Sequence, residues 1–439
     1  MLRYKLCKVR CCISTIIKIL SIVFIFFFLN ERIKSNRSVN LETIRKETAQ
    51  ELVKKQKTRI VYQVMENIEN TQRKYSSVLG GNAGELNASR TLAIIKKKKV
   101  NNVKPKVNVI FLKTHKTGSS TVTNVLQRFA KSHHLKVALP KCDHRFCYPR
   151  KFETSFLYKP YFDNKYNMLF NHAVFHKKNM LSIMENNNAK IVTIIREPFS
   201  QFDSTSDYFN FRKFYKLNNE TPVMDAFFEN SNEELKKTVL SFNPLNDTHG
   251  AFSLAKNPNS FDLGFDVWNE SSEYIQSVIK SIKQDFHLVM IMEYMEESFV
   301  LLKNELFWDL EDVTFNVHNA RKKKVKNTKD KEKIKNRVYS WNKLDAELYN
   351  FFNKTFWEKV KNAGNDFEID VQKLKIMNKN IKERCSTESS KVSAETILKY
   401  LIMERENNIR NNFNKFGYVK CIEILANDIE FTKWFKIFF

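Results

Sequence analysis

The fold is decided by the stretch VNVIFLKTHKTGSSTVTNVLQRFA, residues 107–130. Its first six residues are mostly apolar and β-branched, which predicts a short buried strand. The loop KTHKTGSST follows at once, and apolar residues then recur at the spacing of one helix face. In such a unit, backbone N–H groups of the loop and of the helix N-terminus converge on an anion, and lysine and hydroxyl groups complete its cage. The stretch therefore predicts an anion-binding element of an α/β domain.

This loop differs from the Walker A motif of nucleoside triphosphatases. The first glycine of that motif is missing, and Lys116 precedes Gly118 instead of following it. We therefore predict a phosphate-bearing ligand without assigning the chain to those enzymes.

A second strand and helix follow the same order further along the chain. KIVTII (190–195) predicts a strand, and REPFSQFDSTSDYF (196–209) begins a helix-like stretch. Arg196 stands at the carboxyl end of the strand, where open α/β sheets bind ligands, and an arginine offers bidentate contact to phosphate. Ser204 lies eight residues on, about two helical turns, so both side chains can reach one anion. The alternative, a surface ion pair of Arg196 with Glu197, is equally compatible with the sequence.

The N-terminal region predicts a membrane anchor. Residues 11–29 are apolar with Lys18 as their only charge, which is long enough for one membrane-spanning helix. Four basic residues and no acid precede the span, which favours a cytosolic N-terminus and type II topology. The alternative is a cleaved signal peptide, but no small-residue cleavage site follows Leu29. We expect a cytosolic tail at 1–10, a transmembrane signal-anchor at 11–29, a stem at 30–105 and a lumenal domain at 106–439.

Glycosylation sequons and cysteines bear on the same assignment. The seven cysteines contain no CxxC pair, so no metal site is predicted, and the last four could form two disulfides in a lumenal domain. Six Asn-x-Ser/Thr triplets agree weakly with that location, since asparagine is common in this chain. They begin at Asn36, Asn87, Asn219, Asn246, Asn269 and Asn353.

Composition predicts a packed and strongly basic protein. A hydrophobic fraction of 42% with 37 Phe is ample for a core and excludes wholesale disorder. The net charge of +26 calls for an anionic partner unless it reflects compositional bias alone. The basic runs Lys96–Lys99 and Arg321–Arg337 lack the aromatic-interleaved or finger-like motifs of nucleic-acid binding, so we predict no nucleic-acid partner.

FLKTHKTGSST and IREPFSQFDSTSDYF together resemble the two cofactor-binding signatures of the galactose 3-O-sulfotransferases, which include galactosylceramide sulfotransferase. The likeness covers nearly everything after residue 106, and several motifs occur in the family's order. It continues through NHAVFH (171–176), SFDLGFD (260–266), FHLVMIMEYMEESFVLLKNELFWDLEDV (286–313) and SWNKLDAELYNFFNKTFWEKV (340–360).

The resemblance implies a P-loop-like α/β sulfotransferase fold, with a central parallel sheet flanked by helices. It implies transfer of a sulfuryl group from 3′-phosphoadenosine 5′-phosphosulfate to a galactose hydroxyl of a glycolipid or glycoprotein, in the Golgi lumen and without a metal. Gly118 replaces the alanine of the family pattern, a mild departure that should leave a backbone cradle intact. The 5′-phosphosulfate would be held by Lys116, Thr117, Gly118, Ser119, Ser120 and Thr121, and the 3′-phosphate by Arg196 and Ser204.

The chemistry needs a base for the sugar hydroxyl, and histidine suits this because its ordinary pKa is near neutral. We predict His172, in NHAVFH, as the base, since related glycan sulfotransferases carry one at a comparable place; the alternative is a structural histidine. His176 is the reserve candidate, and His115 is expected to orient the loop or touch the acceptor. Lys116 is predicted to stabilise charge on the leaving side.

Several points stay open from the sequence. The alternatives in function are a glycosaminoglycan O-sulfotransferase of the same fold and a non-catalytic Golgi glycan-binding protein. The sequence does not decide between glycolipid and glycoprotein acceptors, nor the oligomeric state. By the family's tendency to carry cysteines after its last helical stripe, Cys385 and Cys421 are predicted to pair, while Cys142 and Cys147 would close a small loop.

Overall fold

The computed structural model describes residues 104–158, 165–242, 247, 250–317, 330–389, 397–398, 401 and 416–438. Within those ranges, no helix is long and apolar enough to span a membrane. The predicted cytosolic tail, anchor and nearly all of the predicted stem lie outside the described residues.

A parallel sheet forms the centre of the described part of the chain. Its four strands lie in the order β2-β1-β3-β4. In register, Ile110 of β1 pairs with Leu169 on one side and Ile191 on the other, and Val192 pairs with Leu288. Nearly every strand residue is buried, as expected for a parallel sheet covered by helices, and the predicted α/β class is confirmed. The strands are β1 Val109–Leu112, β2 Met168–Leu169, β3 Lys190–Ile195 and β4 Leu288–Ile291.

Helices follow and cover these strands. The two predicted strand–loop–helix units are present, with α1 directly after β1 and α3 directly after β3. In chain order the α-helices are α1 Ser119–Ser132, α2 Lys177–Ser182, α3 Pro198–Tyr208, α4 Phe211–Phe214, α5 Val223–Phe227, α6 Asn232–Leu240, α7 Pro258–Asp262, α8 Ser272–Asp285, α9 Met295–Leu306, α10 Lys331–Trp341, α11 Lys343–Asn362, α12 Asp366–Ser389, α13 Phe416–Leu425 and α14 Asp428–Phe438.

In the described ranges, the buried apolar residues form two clusters. The larger surrounds the sheet, and the smaller collects aromatic side chains such as Phe202, Phe227 and Trp341 from α3, α5 and α10. The apolar stripe along α11 packs into the larger cluster, as its spacing predicts. The helical spacing of Phe299, Leu302, Leu306 and Phe307 predicts that all four lie in the core. For Phe307 this prediction is wrong: it ends α9 with a φ of 55° and is 49% exposed, because the chain turns away from the core there.

Both predicted disulfides are present. Cys142 and Cys147 close a small loop beside β2, hereafter the disulfide loop. Cys385 and Cys421 join α12 to α13 and so tie the C-terminal helices to the rest of the domain.

Candidate active site

The loop between β1 and α1 is curled by its own side chains. Lys116 and Gly118 have φ values of 61° and 72°, in the left-handed region. The Thr117 hydroxyl lies 2.7 Å from that of Thr114, and the Ser119 hydroxyl donates to the Thr114 carbonyl at 2.5 Å. These bonds fix the loop, and they turn the hydroxyls of Thr117 and Ser119 towards Thr114.

The N-terminus of α1 is suited to an anion. Its N-cap is Gly118, which offers no side chain to cap the first N–H groups, and no acidic residue lies in the first turn. A Cβ at Gly118 would stand 2.9 Å from the Met295 side chain, so the backbone passes close to α9. Lys116 and Ser120 are half-buried, whereas Thr121 is buried. Backbone N–H groups, Lys116 and Ser120 are the more accessible groups of this loop, and the assignment of Thr117, Ser119 and Thr121 to the phosphosulfate stays a prediction.

Arg196 connects the second unit to this loop. Its Nη1 donates to the Lys116 carbonyl oxygen at 3.0 Å, which places the guanidinium directly beneath the curl. The neighbouring Glu197 caps α3 through the N–H groups of Phe199 and Ser200. Burial would raise the pKa of Glu197, but hydrogen bonds from Ser200 and from Tyr339 outweigh it and lower that pKa. Glu197 is thus a helix cap, with its carboxylate bonded to Phe199, Ser200 and Tyr339.

One face of α3 is turned towards the loop. The Gln201 amide donates to the His115 carbonyl at 2.8 Å, and the Lys116 ammonium lies 3.6 Å from the ring centre of Tyr208. Ser204 is three residues after Gln201 and four before Tyr208, so it shares that face. The structure therefore brings Lys116, Arg196 and Ser204 to one region. Their assignment to the two phosphate groups stays a prediction.

His172 lies at the carboxyl end of β2, next to the loop. Its Nδ1 is 3.0 Å from the Lys113 carbonyl oxygen, which accepts a proton from Nδ1 and leaves the Nε2 lone pair available. The ring is half-buried and stacks on His115, with centres 3.9 Å apart and planes 13° apart. Burial, followed by the nearby charges of His115 and Lys113, lowers the pKa of His172 well below its ordinary value, so its imidazole is neutral at physiological pH.

His115 is held by a buried carboxylate that the sequence analysis missed. The Nδ1 of His115 lies 3.0 Å from both carboxylate oxygens of Asp262, which also accepts the His115 backbone N–H at 2.7 Å and the Tyr148 hydroxyl at 3.0 Å. Asp345 caps the helix that carries Asp262, and burial raises the pKa of Asp345 to about 6. The only signal in the sequence was the segment SFDLGFD, which contains Asp262.

The reserve histidine has another role. The Nδ1 of His176 accepts the Asn179 N–H at 3.3 Å and so caps α2. The structure thus brings His115 and His172 together beside the loop, whereas His176 serves a helix end.

A parallel sheet flanked by helices, with a strand–loop–helix unit and an arginine at the end of the neighbouring strand, places the chain among α/β proteins whose strand ends can accept an anion. The chain belongs to the galactose-3-O-sulfotransferase family, whose sequence pattern matches residues 51–405. It is 36% identical over 286 residues to mouse galactose-3-O-sulfotransferase 3, covering 63% of each chain. It is 33% identical over 299 residues to human galactosylceramide sulfotransferase, covering 67% of each. The match to the first of these therefore spans less than two thirds of the relative's length.

Proposed function

We propose that this protein transfers a sulfuryl group from 3′-phosphoadenosine 5′-phosphosulfate to the 3-hydroxyl of a galactose. The relatives are named for galactose and for galactosylceramide, which supports a galactose-bearing acceptor. The observation that carries the proposal is the position of His172, whose ring is fixed by the Lys113 carbonyl beside a helix N-terminus that has no side-chain cap.

The residues present fit a donor with two anionic ends. The N-terminus of α1 is uncapped and lies next to Lys116, while Arg196 and Ser204 stand on the neighbouring unit. When bound, the donor supplies an activated sulfuryl group. The α1 N–H groups, Lys116 and Ser120 would hold its phosphosulfate, and Arg196 with Ser204 its 3′-phosphate. Lys116 would neutralise the charge that develops on the leaving side.

His172 would take the proton of the galactose hydroxyl. Its Nδ1 proton is committed to the Lys113 carbonyl, so Nε2 is the accepting atom. The lowered pKa keeps this base in its neutral form, at the cost of a weaker pull on the proton. His115 stacks beneath it, and the bond to Asp262 fixes the His115 ring.

We further propose a Golgi-membrane protein with this domain in the lumen, anchored by residues 11–29. The two disulfides support an oxidising compartment. The acceptor would be a glycolipid or glycoprotein bearing galactose.

Two measurements on the purified protein test the function. Sulfate transfer is assayed with lactosyl, galactosylceramide and heparan acceptors, and binding of adenosine 3′,5′-bisphosphate is measured by calorimetry. We expect bisphosphate binding and transfer to a galactose acceptor. Transfer to heparan alone would favour the glycosaminoglycan alternative, and absence of bisphosphate binding would support a non-catalytic protein.

A further inference from the structure

The last helix, α14, carries a polar stripe. Asp428, Thr432 and Lys436 are spaced four residues apart and therefore lie on one side of the helix. The aromatic side chains of Phe431 and Phe435, by contrast, are fully buried in the core. The stripe is therefore separate from the apolar anchor of the helix and needs its own explanation.

Each member of the stripe contacts a different segment. The Asp428 carboxylate lies 2.5 Å from the Lys113 ammonium, and their side chains are 12% and 1% exposed. The Thr432 hydroxyl accepts the Asn171 amide at 3.0 Å, and the Lys436 ammonium donates to the Asp143 carbonyl at 2.7 Å. The buried Lys113–Asp428 pair is the most demanding of these contacts, because an unpaired charge there is strongly unfavourable.

All three contacted segments hold His172. The Lys113 carbonyl accepts the Nδ1 proton of His172, and Asn171 directly precedes His172 in the chain. Asp143 belongs to the disulfide loop, in which Phe146 donates its N–H to the His172 carbonyl at 2.8 Å. One face of one helix thus reaches the side-chain partner, the chain neighbour and the backbone partner of the same histidine.

We propose that α14 positions His172, with Asp428 and Thr432 as positioning residues that fix its ring for proton transfer. The inference rests on the proposed role of His172 as the base. The helix α14 lies beyond residue 405, where the match to the family's sequence pattern ends. The helix is itself held in place, because Asn124 of α1 donates to the carbonyls of Glu423 and Ala426, just before α14 begins.

The test compares Asp428→Asn and Thr432→Val in the full-length protein with Lys433→Gln, whose side chain is exposed on the same helix. Displacement of the His172 ring by a fraction of an ångström slows proton transfer, so Asp428→Asn should lower kcat by about 10- to 100-fold. Bisphosphate affinity and the acceptor KM should stay within about twofold, because these residues do not hold the ligand. Asp428→Glu should recover part of the rate, and Lys433→Gln should behave as wild type.

A double-mutant cycle separates positioning from general damage. If Asp428 acts through His172, Asp428→Asn should have no further effect in a His172→Ala background. Effects that multiply would overturn the inference, as would a loss of bisphosphate affinity equal to the loss of rate. A His172→Ala protein with wild-type turnover would instead show that the proposed base is wrong.

Folding of each variant is checked by its thermal unfolding. If Asp428→Asn does not fold, Thr432→Val serves in the same cycle. That change preserves volume, and the Asn171 amide keeps its second acceptor, the His144 carbonyl at 3.1 Å. A folded Thr432→Val protein with wild-type kcat would then contradict the inference.

Discussion

Replacement of Asp262 tests how the histidine pair is held. Its carboxylate receives three donors: the backbone N–H and Nδ1 of His115 and the hydroxyl of Tyr148. In Asp262→Asn the amide oxygen can keep both His115 bonds, while the amide nitrogen can donate to the Tyr148 oxygen. Geometry is retained and only the charge is lost. Since each of the three bonds to the charged group is worth about 1 kcal/mol more than a neutral one, we expect a loss of unfolding free energy of roughly 3 kcal/mol.

Asp262→Ala instead leaves all three donors buried without an acceptor. At about 1–3 kcal/mol for each of the three unsatisfied groups, the loss should be roughly 6 kcal/mol. The freed His115 ring no longer supports His172, so turnover should fall by about 10- to 100-fold. Urea unfolding and sulfate transfer measure both effects, with Tyr148→Phe as the matched control because it removes a single donor. Equal stability of the asparagine and alanine variants would refute the hydrogen-bond account.

Three further predictions concern the rest of the site, two of them for substitutions and one for the unchanged protein. Lys116→Ala should abolish transfer, because it removes the group proposed to neutralise charge on the leaving side. The variant should still fold, because a half-buried loop lysine contributes little packing. Wild-type turnover of the folded variant would contradict the role of Lys116. Arg196→Ala should weaken bisphosphate binding by about ten- to a hundredfold, the worth of a lost charge-assisted hydrogen bond, and calorimetry measures this. The pKa of His172, followed by NMR in the ligand-free protein, should lie well below 6.5, because burial disfavours the imidazolium. The pKa of His172 is lower in the folded than in the unfolded protein. The stability contributed by neutral His172 is therefore present above about pH 6.5 and is lost as the pH falls through the lowered pKa. A midpoint of the NMR titration at or above pH 6.5 would contradict the structure.

Local sequence was sufficient for the phosphate-binding units. The strands at 109–112 and 190–195 are continuous apolar runs, and the helices after them begin at recognisable signals, Gly118 and Pro198. A parallel sheet follows from two such units in succession. These features depend on neighbours in the chain, which is why the pattern predicts them.

Contacts between residues distant in the sequence could not be predicted from local patterns. Asp262 is 147 residues from His115, and Asp428 is 315 residues from Lys113. An aspartate in a helix carries no local mark that distinguishes a buried hydrogen-bond acceptor from a solvated residue. Similarly, the inward rotation of the Thr117 and Ser119 hydroxyls depends on how the loop curls around Thr114, which the sequence KTHKTGSST does not show.

The contact between the Lys116 ammonium and the ring of Tyr208 has a consequence for affinity. If Lys116 binds the phosphosulfate as proposed, its ammonium has to leave that ring, so the measured binding energy is reduced by the energy of the cation–π contact. At this exposed tyrosine that contact is worth about 0.5–1 kcal/mol, a two- to fivefold weakening. The ring of Tyr208 and the ligand would therefore compete for Lys116, and the emission of Tyr208 should change when the ligand binds.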